Sequence, residues 1–288
     1  MENLVAHTRI TAKPEELHQC FNPIRMVRNI WSHQSLIKQM TWREVAGRYK
    51  GSYLGLFWSF LNPLLLLVIF TFVFSVIFKA KWGISITGSK AEFALTLFCG
   101  LVIFNFFSEC INRAPTLVLA YSNYVKKTRF PVEILSVAAV FSSLVHLFIS
   151  TGILLLGILF FLRVFPWTIV YFPIVVIFLI ALTMGLTWFL SSLGVFIRDI
   201  SYFVGFLTTA LFFLTPIFYP ISAVPAGFQT LMKLNPLSVI VECSRQVLMW
   251  GKPPDWAWLG GVGLFSFAVL VFGYGFFIKS KRAISDVV

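Results

Sequence analysis

From Tyr53 to Phe78 the chain carries no charged side chain. About 20 apolar residues suffice to cross the hydrocarbon core of a bilayer as a helix, so this run is long enough to cross with some tilt. It begins as a basic approach, Arg48-Tyr49-Lys50-Gly51, and turns apolar at Tyr53. Inside lipid the backbone must satisfy its own hydrogen bonds, which leaves a helix as the only form for a single segment. Ser52, Gly55, Ser59 and Asn62 recur at spacings of three and four, which sets them on one helical face. Pro63 then removes a backbone donor, a loss that neighbouring helices or water can offset. The small polar face reads either as a packing seam between helices or as the lining of a polar conduit.

The rest of the chain has the same character. Hydrophobic residues make up 58% and charged residues 12% of the sequence, and the mean hydropathy is +0.87. Soluble domains carry about 25% charged residues, so a polytopic membrane protein is indicated. The 33 Phe and 9 Trp suit lipid-facing surfaces and interfacial belts. A net charge of +12 raises the question of nucleic acid, but the cations cluster at span ends, and none is expected as a partner. Cys20, Cys99, Cys110 and Cys243 show no metal or CxxC spacing and read as free thiols. Met1–Gln19 is polar and mixed in charge, so no cleavable leader is expected.

Taken in order, residues 1–24 form a polar lead and 25–52 an amphipathic interface helix. In the latter, Val27, Ile30, Trp31, Ile37, Met40, Val45 and Tyr49 lie along one side, with Arg28, Lys38, Arg43, Arg48 and Lys50 as anchors. Such a helix lies in the membrane surface or packs on a cytoplasmic partner. Residues 53–288 form the membrane unit, with spans at about 54–78, 93–112, 132–162, 169–197, 202–219 and 256–278. Gly83–Lys90 resembles a phosphate-binding loop but has Ser before Lys and follows a span, so it reads as a turn. Glu109 and Arg113 have the spacing of a local i,i+4 ion pair. His146 sits mid-span between Ser143 and Ser150 and is expected to hydrogen-bond a neighbouring helix. In the fifth span Ser201, Gly205, Thr208, Phe212, Thr215 and Tyr219 repeat at four and three, again as a packing seam or a lining.

Residues 220–255 are too apolar for a plain loop and too interrupted by proline for a span. Phe228–Leu234 and Leu237–Trp250 read as two half-helices dipping back into the membrane, with Glu242 and Arg245 as i,i+3 partners on the second. The expected fold is an all-α membrane protein with six transmembrane helices, an N-terminal interface helix and an external re-entrant pair before the last span. Most of the 23 Lys and Arg flank the spans on the side of the N-terminus. The positive-inside rule then puts both termini in the cytoplasm. No internal repeat is evident, which disfavours an inverted-repeat transporter.

Three blocks carry a resemblance. They are Arg48-Tyr49-Lys50-Gly51-Ser52-Tyr53-Leu54-Gly55…Trp58…Asn62-Pro63-Leu64; Asn123-Tyr124…Lys126-Lys127…Phe130-Pro131; and Pro216…Phe218-Tyr219-Pro220…Val224-Pro225…Leu234-Asn235-Pro236-Leu237…Glu242…Arg245. Together they resemble the polysaccharide-export branch of the type-2 ABC transporter permeases, which move O-antigens, group 2 capsules and teichoic acids. The resemblance covers about residues 30–280 and leaves the first 25 or so unexplained. It implies a homodimer in a bacterial inner membrane, joined to two copies of a separate cytoplasmic ATPase that binds ATP and Mg. This chain would itself be non-enzymatic and hold no cofactor. The resemblance further implies an ATPase-coupling element at Asn123, Tyr124, Lys126, Lys127 and Arg129, near which the interface helix also touches the ATPase. A channel between the two chains would be lined by Ser52, Gly55, Ser59, Asn62, Thr208, Phe212, Thr215 and Tyr219, with Pro220, Pro225, Glu242 and Arg245 at an outer gate. The cargo implied is a lipid-linked polysaccharide, O-antigen first.

Two other classes fit less well. An ion-coupled transporter needs carboxylates buried in the membrane, whereas each acid here falls at an expected span end or outside. A membrane transferase needs clustered acid–base groups, and only His146 lies deep, with His7, His18 and His33 in the lead or interface helix. Within the family, a small-molecule or drug exporter remains the alternative.

Overall fold

The computed structural model describes residues 21–50, 53, 57–73, 89–127, 130–163 and 166–287. Among them every regular element is helical: α1 (Pro23–Ser32), α2 (Gln34–Tyr49), α3 (Trp58–Phe70), α4 (Lys90–Ala120), α5 (Ser122–Lys127), α6 (Glu133–Gly157), α7 (Phe172–Phe196), α8 (Ile200–Leu214), α9 (Ala226–Leu234), α10 (Pro236–Leu248) and α11 (Trp256–Val287). A wide π turn at Ile158–Leu162 continues α6, and a tight turn at Trp167–Tyr171 leads into α7. Among the described residues, four segments are long and apolar enough to cross a membrane: Lys90–Ala120, Glu133–Leu162, Trp167–Phe196 and Trp256–Lys281. Two of the six expected crossings are shorter apolar helices among the described residues, Phe60–Val73 and Ile200–Leu214.

The interface segment differs from expectation because it breaks at His33. The Asn22 side chain caps α1 by accepting from the Ile24 and Arg25 amides, and Pro23 opens the helix where no donor is needed. His33 leaves helical geometry, and its ring bonds back to the Asn29 carbonyl oxygen at 2.9 Å. The break resets the buried face. Met26, Ile37, Met40 and Val45 are buried, whereas Val27 and Trp31, expected on the same side, are exposed.

Helix α4 is the axis of the bundle. The Ser89 hydroxyl accepts from the Glu92 amide to start it, and at 31 residues it is about 46 Å long, well beyond a bilayer core of about 30 Å. It therefore runs past the expected end near residue 112 to Ala120. Leu97, Phe98, Leu101 and Ile103 along it are fully buried, because α4 packs on α6, α7, α8 and α10. Small residues set the closest crossings. A Cβ on Gly273 of α11 would lie 2.0 Å from the Gly185 carbonyl oxygen of α7, and one on Gly194 would lie 2.1 Å from the Pro115 carbonyl oxygen of α4. With no side chain in the way, backbone meets backbone at both points.

Helix α8 stops at Leu214 because Thr215 turns extended and Pro216 follows. The Asn235 side chain accepts from the Leu237 amide to start α10, again with proline in the first turn. Two short helices, α9 and α10, stand where the half-helix pair is expected. They are unequal: α9 has no buried residue, while α10 buries ten of its thirteen against the bundle.

Candidate functional site

One end of the bundle gathers the start of α6, the last turns of α4 and α11, and the helices α1 and α2. Glu133, 4% exposed, binds Lys281 at 2.8 Å and accepts from the Asn29 amide nitrogen at 3.0 Å. Its backbone oxygen accepts from Trp188 Nε1 at 3.0 Å. One acid thereby ties α1, α6, α7 and α11 together.

Beside it, α2 is bound to α4 by crossed ion pairs. Arg48 pairs with Glu109, and Glu44 pairs with Arg113. This corrects the local Glu109–Arg113 pair expected from their spacing: each takes a partner from α2 instead. Glu109 is interior to α4 because that helix runs on to Ala120. It lies about 28 Å from the start of that helix, close to the far edge of a hydrocarbon core. Ser143 of α6 donates to Glu109 at 2.8 Å and accepts from Arg48 at 3.3 Å. His146 is half-buried within the fields of Arg48 and Glu109, so a carboxylate does lie near it, supplied by another helix.

Glu44 is also the acceptor for the Tyr121 hydroxyl at 2.5 Å. Burial opposes its ionisation, but the Tyr121 and Arg113 hydrogen bonds outweigh burial and hold its carboxyl below the ordinary range. The same contact acts on Tyr121, whose phenol is pushed up to about 12 by burial and by the adjacent carboxylate. Tyr121 opens the segment that carries the expected coupling element. Tyr124 follows, its ring centroid 6.1 Å from Tyr121 and 5.6 Å from Phe130, with the Arg43 guanidinium over its face at 5.4 Å. Arg43 also donates to the Tyr124 hydroxyl. Asn123 is exposed. The backbone of Lys126 and Lys127 closes α5, and Arg129 lies outside the described residues.

The opposite end is organised by Arg245, which is wholly buried. Its Nε donates to the Thr96 carbonyl oxygen at 3.1 Å, Nη1 to that of Pro216 at 2.6 Å, and Nη2 to that of Ile217 at 2.8 Å. Glu242 lies 3.6 Å from Nη1, one turn before on α10. The guanidinium thus fastens the unwound stretch after α8 to both α4 and α10, and supplies donors to carbonyls that the end of α8 leaves unsatisfied. Gly100 makes the room, since a Cβ there would stand 2.6 Å from Nη2. Pro220 and Pro225 flank the short turn Ile221–Ala223 on the surface of this end.

The expected lining residues fall into separate groups. Ser52 and Gly55 lie outside the described residues, Ser59 is placed by its backbone in α3, and Asn62 is exposed on α3. Thr208 and Thr215 are buried and Phe212 is half-buried. Thr208 donates to Asn112 Oδ1 at 2.7 Å, Thr215 accepts from Asn235 at 3.2 Å, and Phe212 packs on Phe104 at 5.1 Å and Phe218 at 5.0 Å. These three turn into the protomer. The other face of α8 shows Tyr202, Phe203, Phe206 and Phe213 exposed. Tyr219 is half-buried, its hydroxyl donating to the Phe213 carbonyl oxygen at 2.7 Å. Among the described residues no group of three or more His, Cys, Asp or Glu is placed to hold a metal ion.

Sequence reasoning placed Arg43 only as an interface anchor and missed Glu44 and Tyr121. One signal was available: Glu44 is the sole acid among the residues of α1 and α2, and a lone carboxylate in a basic helix calls for a specific partner.

The chain is 27% identical over 234 residues to the O-antigen export system permease protein RfbA of Myxococcus xanthus, covering 81% of this chain and 87% of that protein. It is 25% identical over 269 residues to the protein of the same name from Klebsiella pneumoniae, covering 92% and 99% respectively. It is 24% identical over 255 residues to the polysialic acid transport protein KpsM of Escherichia coli, covering 84% and 92%. The family model for the ABC-2 type transporter matches residues 35–249, from α2 to the end of α10. The chain belongs to the ABC-2 type transporter family, as a multi-pass membrane permease subunit that works with ATPase activity resident on a separate subunit.

Proposed function

We propose that this chain is the membrane path of an exporter for a lipid-linked polysaccharide, with O-antigen as the first candidate cargo. The observation that carries the reading is similarity along nearly the whole length of O-antigen permeases, 99% of one of them. In this reading two copies of the chain join two copies of a cytoplasmic ATPase in a bacterial inner membrane, with both termini in the cytoplasm. Residues 1–24 are a lead, 25–52 the interface segment and 53–288 the six-span unit, with α9 and α10 as the external pair.

A sugar polymer is too long to be enclosed and flipped in one step, so it needs a continuous path between the two copies. Aromatic faces suit the C–H surfaces of sugars, and hydroxyl and amide groups exchange hydrogen bonds in many registers. The path we propose is lined by Ser52, Gly55, Ser59 and Asn62 of the first span, by the exposed aromatic face of α8, and by Tyr219. Thr208, Phe212 and Thr215 support that wall from behind. Pro220, Pro225, Glu242 and Arg245 shape the outer mouth, where Arg245 holds the backbone in place. Asn123, Tyr124, Lys126, Lys127 and Arg129 dock on the ATPase, and the Tyr121–Glu44 and Tyr124–Arg43 contacts carry that docking into α2. Cationic side chains there would meet acidic surface on the ATPase.

The test is the lipid-linked glycan pool in cells lacking the chain. Accumulation of a long polyprenyl-linked polymer at the cytoplasmic face, with the surface glycan lost, is expected. A normal surface glycan without accumulation would remove the polysaccharide reading and leave a small-molecule exporter.

A further inference from the structure

Between α1, α2 and α6 lies a groove of about 540 Å³, large enough for a ligand of some size. Its floor is apolar: Phe141 and Val145, one turn apart on α6, face Ile37 and Val45 of α2. Polar groups enter from one line only. Gln34, Lys38 and Thr41 follow at spacings of four and three along a single edge of α2. The Thr41 hydroxyl is buried and has no hydrogen-bond partner among the described residues. No carboxylate pairs with Lys38 among the described residues either. Trp31 and Trp42, each 71% exposed, also line the groove. Tryptophan and lysine side by side, over an apolar cleft, are the chemistry of a membrane–water boundary.

We propose that this groove holds an acyl chain of an anionic phospholipid, with the lipid phosphate on Lys38 and its ester region beside Gln34. The charge argues for the anionic class. Helices α1 and α2 carry Arg25, Arg28, Lys38, Arg43 and Arg48 against the single acid Glu44, which is already engaged by Arg113 and Tyr121. A lipid there fills the space between α2 and α6 and braces the helix that holds Arg43, Glu44 and Arg48 in their ion pairs. The inference rests on α1 and α2 meeting the membrane surface and is independent of which cargo the chain moves.

The test uses the full chain, extracted from membranes of mixed phosphatidylglycerol and phosphatidylethanolamine, with mass spectrometry of the lipid retained after delipidation. Wild type is expected to retain phosphatidylglycerol above its share of the membrane. Lys38→Glu should lower that preference at least about fivefold, the effect of losing one cation near an anionic surface, while still retaining lipid. Val145→Trp, which fills the groove from α6 and leaves the charges of α2 untouched, should lose the retained lipid altogether. Retention in simple proportion to the membrane, or retention of a polyprenyl phosphate in place of phospholipid, overturns the proposal. So does a Lys38→Glu chain with unchanged preference, a surface change that leaves folding intact. Because this readout contains no glycan, it fails separately from the export reading.

Discussion

Glu44 is shared by two donors, so its removal is the sharpest test of the α2–α4 lattice. Glu44→Ala leaves Arg113 without its carboxylate and Tyr121 without its acceptor. The Glu44 side chain is 7% exposed and that of Arg113 is 36% exposed, which makes the pair buried on one side only. Breaking a fully buried pair costs about 3–5 kcal/mol, and an exposed pair contributes about 0–1 kcal/mol. A charge-assisted hydrogen bond such as that from Tyr121 contributes about 1.5–3 kcal/mol, and the two losses overlap. About 2–3 kcal/mol is the expected cost, which at roughly 2–4 °C per kcal/mol is about 4–12 °C in Tm. Cys99, Cys110 and Cys243 are buried free thiols, so a thiol-reactive dye on the detergent-solubilised chain reports separation of the helices, at one fixed scan rate. The double variant with Arg113→Met should be less destabilised than the sum of the two singles, because neither orphaned charge remains. Shifts that add to within about 0.5 kcal/mol would refute the pairing. The pH dependence gives a second check. The Glu44 carboxyl lies below its ordinary value of 4.5, so its stabilisation is complete above that pH and is lost as pH falls through the lower folded value. The advantage of wild type over Glu44→Gln should therefore be constant at neutral pH and shrink below pH 4.5.

Three further outcomes are expected. Gly194→Ala should destabilise by about 1–3 kcal/mol, since its Cβ would overlap the Pro115 backbone, whereas Gly205→Ala, with open space around it, should melt like wild type. Arg245→Lys keeps a cation but cannot reach three carbonyls at once, so it should cost about 2–4 kcal/mol and open the chain to protease between residues 214 and 221; Gly100→Ala should mimic it. Phe212→Ala should lower Tm by loss of buried rings, while Phe206→Ala should leave Tm unchanged and reduce surface glycan; an export defect confined to Phe212→Ala would reverse the assignment of the two faces of α8.

The elements were legible wherever one residue's local preference decides them. Proline and asparagine at 235–236 fix the start of α10, and Thr215-Pro216 ends α8, so the two short helices could be read from the chain. The break at His33 was not legible, because neither proline nor glycine marks it; there the ring of His33 bonds back to the Asn29 carbonyl one turn earlier. Glu109 and Arg113 failed for a related reason. Their i,i+4 spacing permits a local pair, but an exposed pair of that kind contributes only a few tenths of a kcal/mol. Partners on α2 in a half-buried setting win by far more. The stripe through Thr208, Phe212 and Thr215 was seen as a stripe, but periodicity is silent on which neighbour it meets. Asn112 and Phe104 of α4 decide that, and they are about a hundred residues away in sequence.

The two ends of the protomer differ in what it takes to move them. Arg245 is wholly buried and binds three backbone carbonyls, so releasing it would strand a charge and three acceptors in a dry site. The pairs at the other end join side chain to side chain, with 22% and 29% exposure at Arg48 and Glu109 and 36% at Arg113. Water already reaches Arg48, Glu109 and Arg113, so opening these pairs costs less than stranding Arg245, although the buried Glu44 keeps its own loss at about 2–3 kcal/mol. Ser143, between Arg48 and Glu109, and Glu44, between Arg113 and Tyr121, already serve two partners each. The joint between α2 and α4 is therefore easier to open than the Arg245 knot. Tyr124, held by the Arg43 guanidinium and set against Tyr121, adjoins that joint.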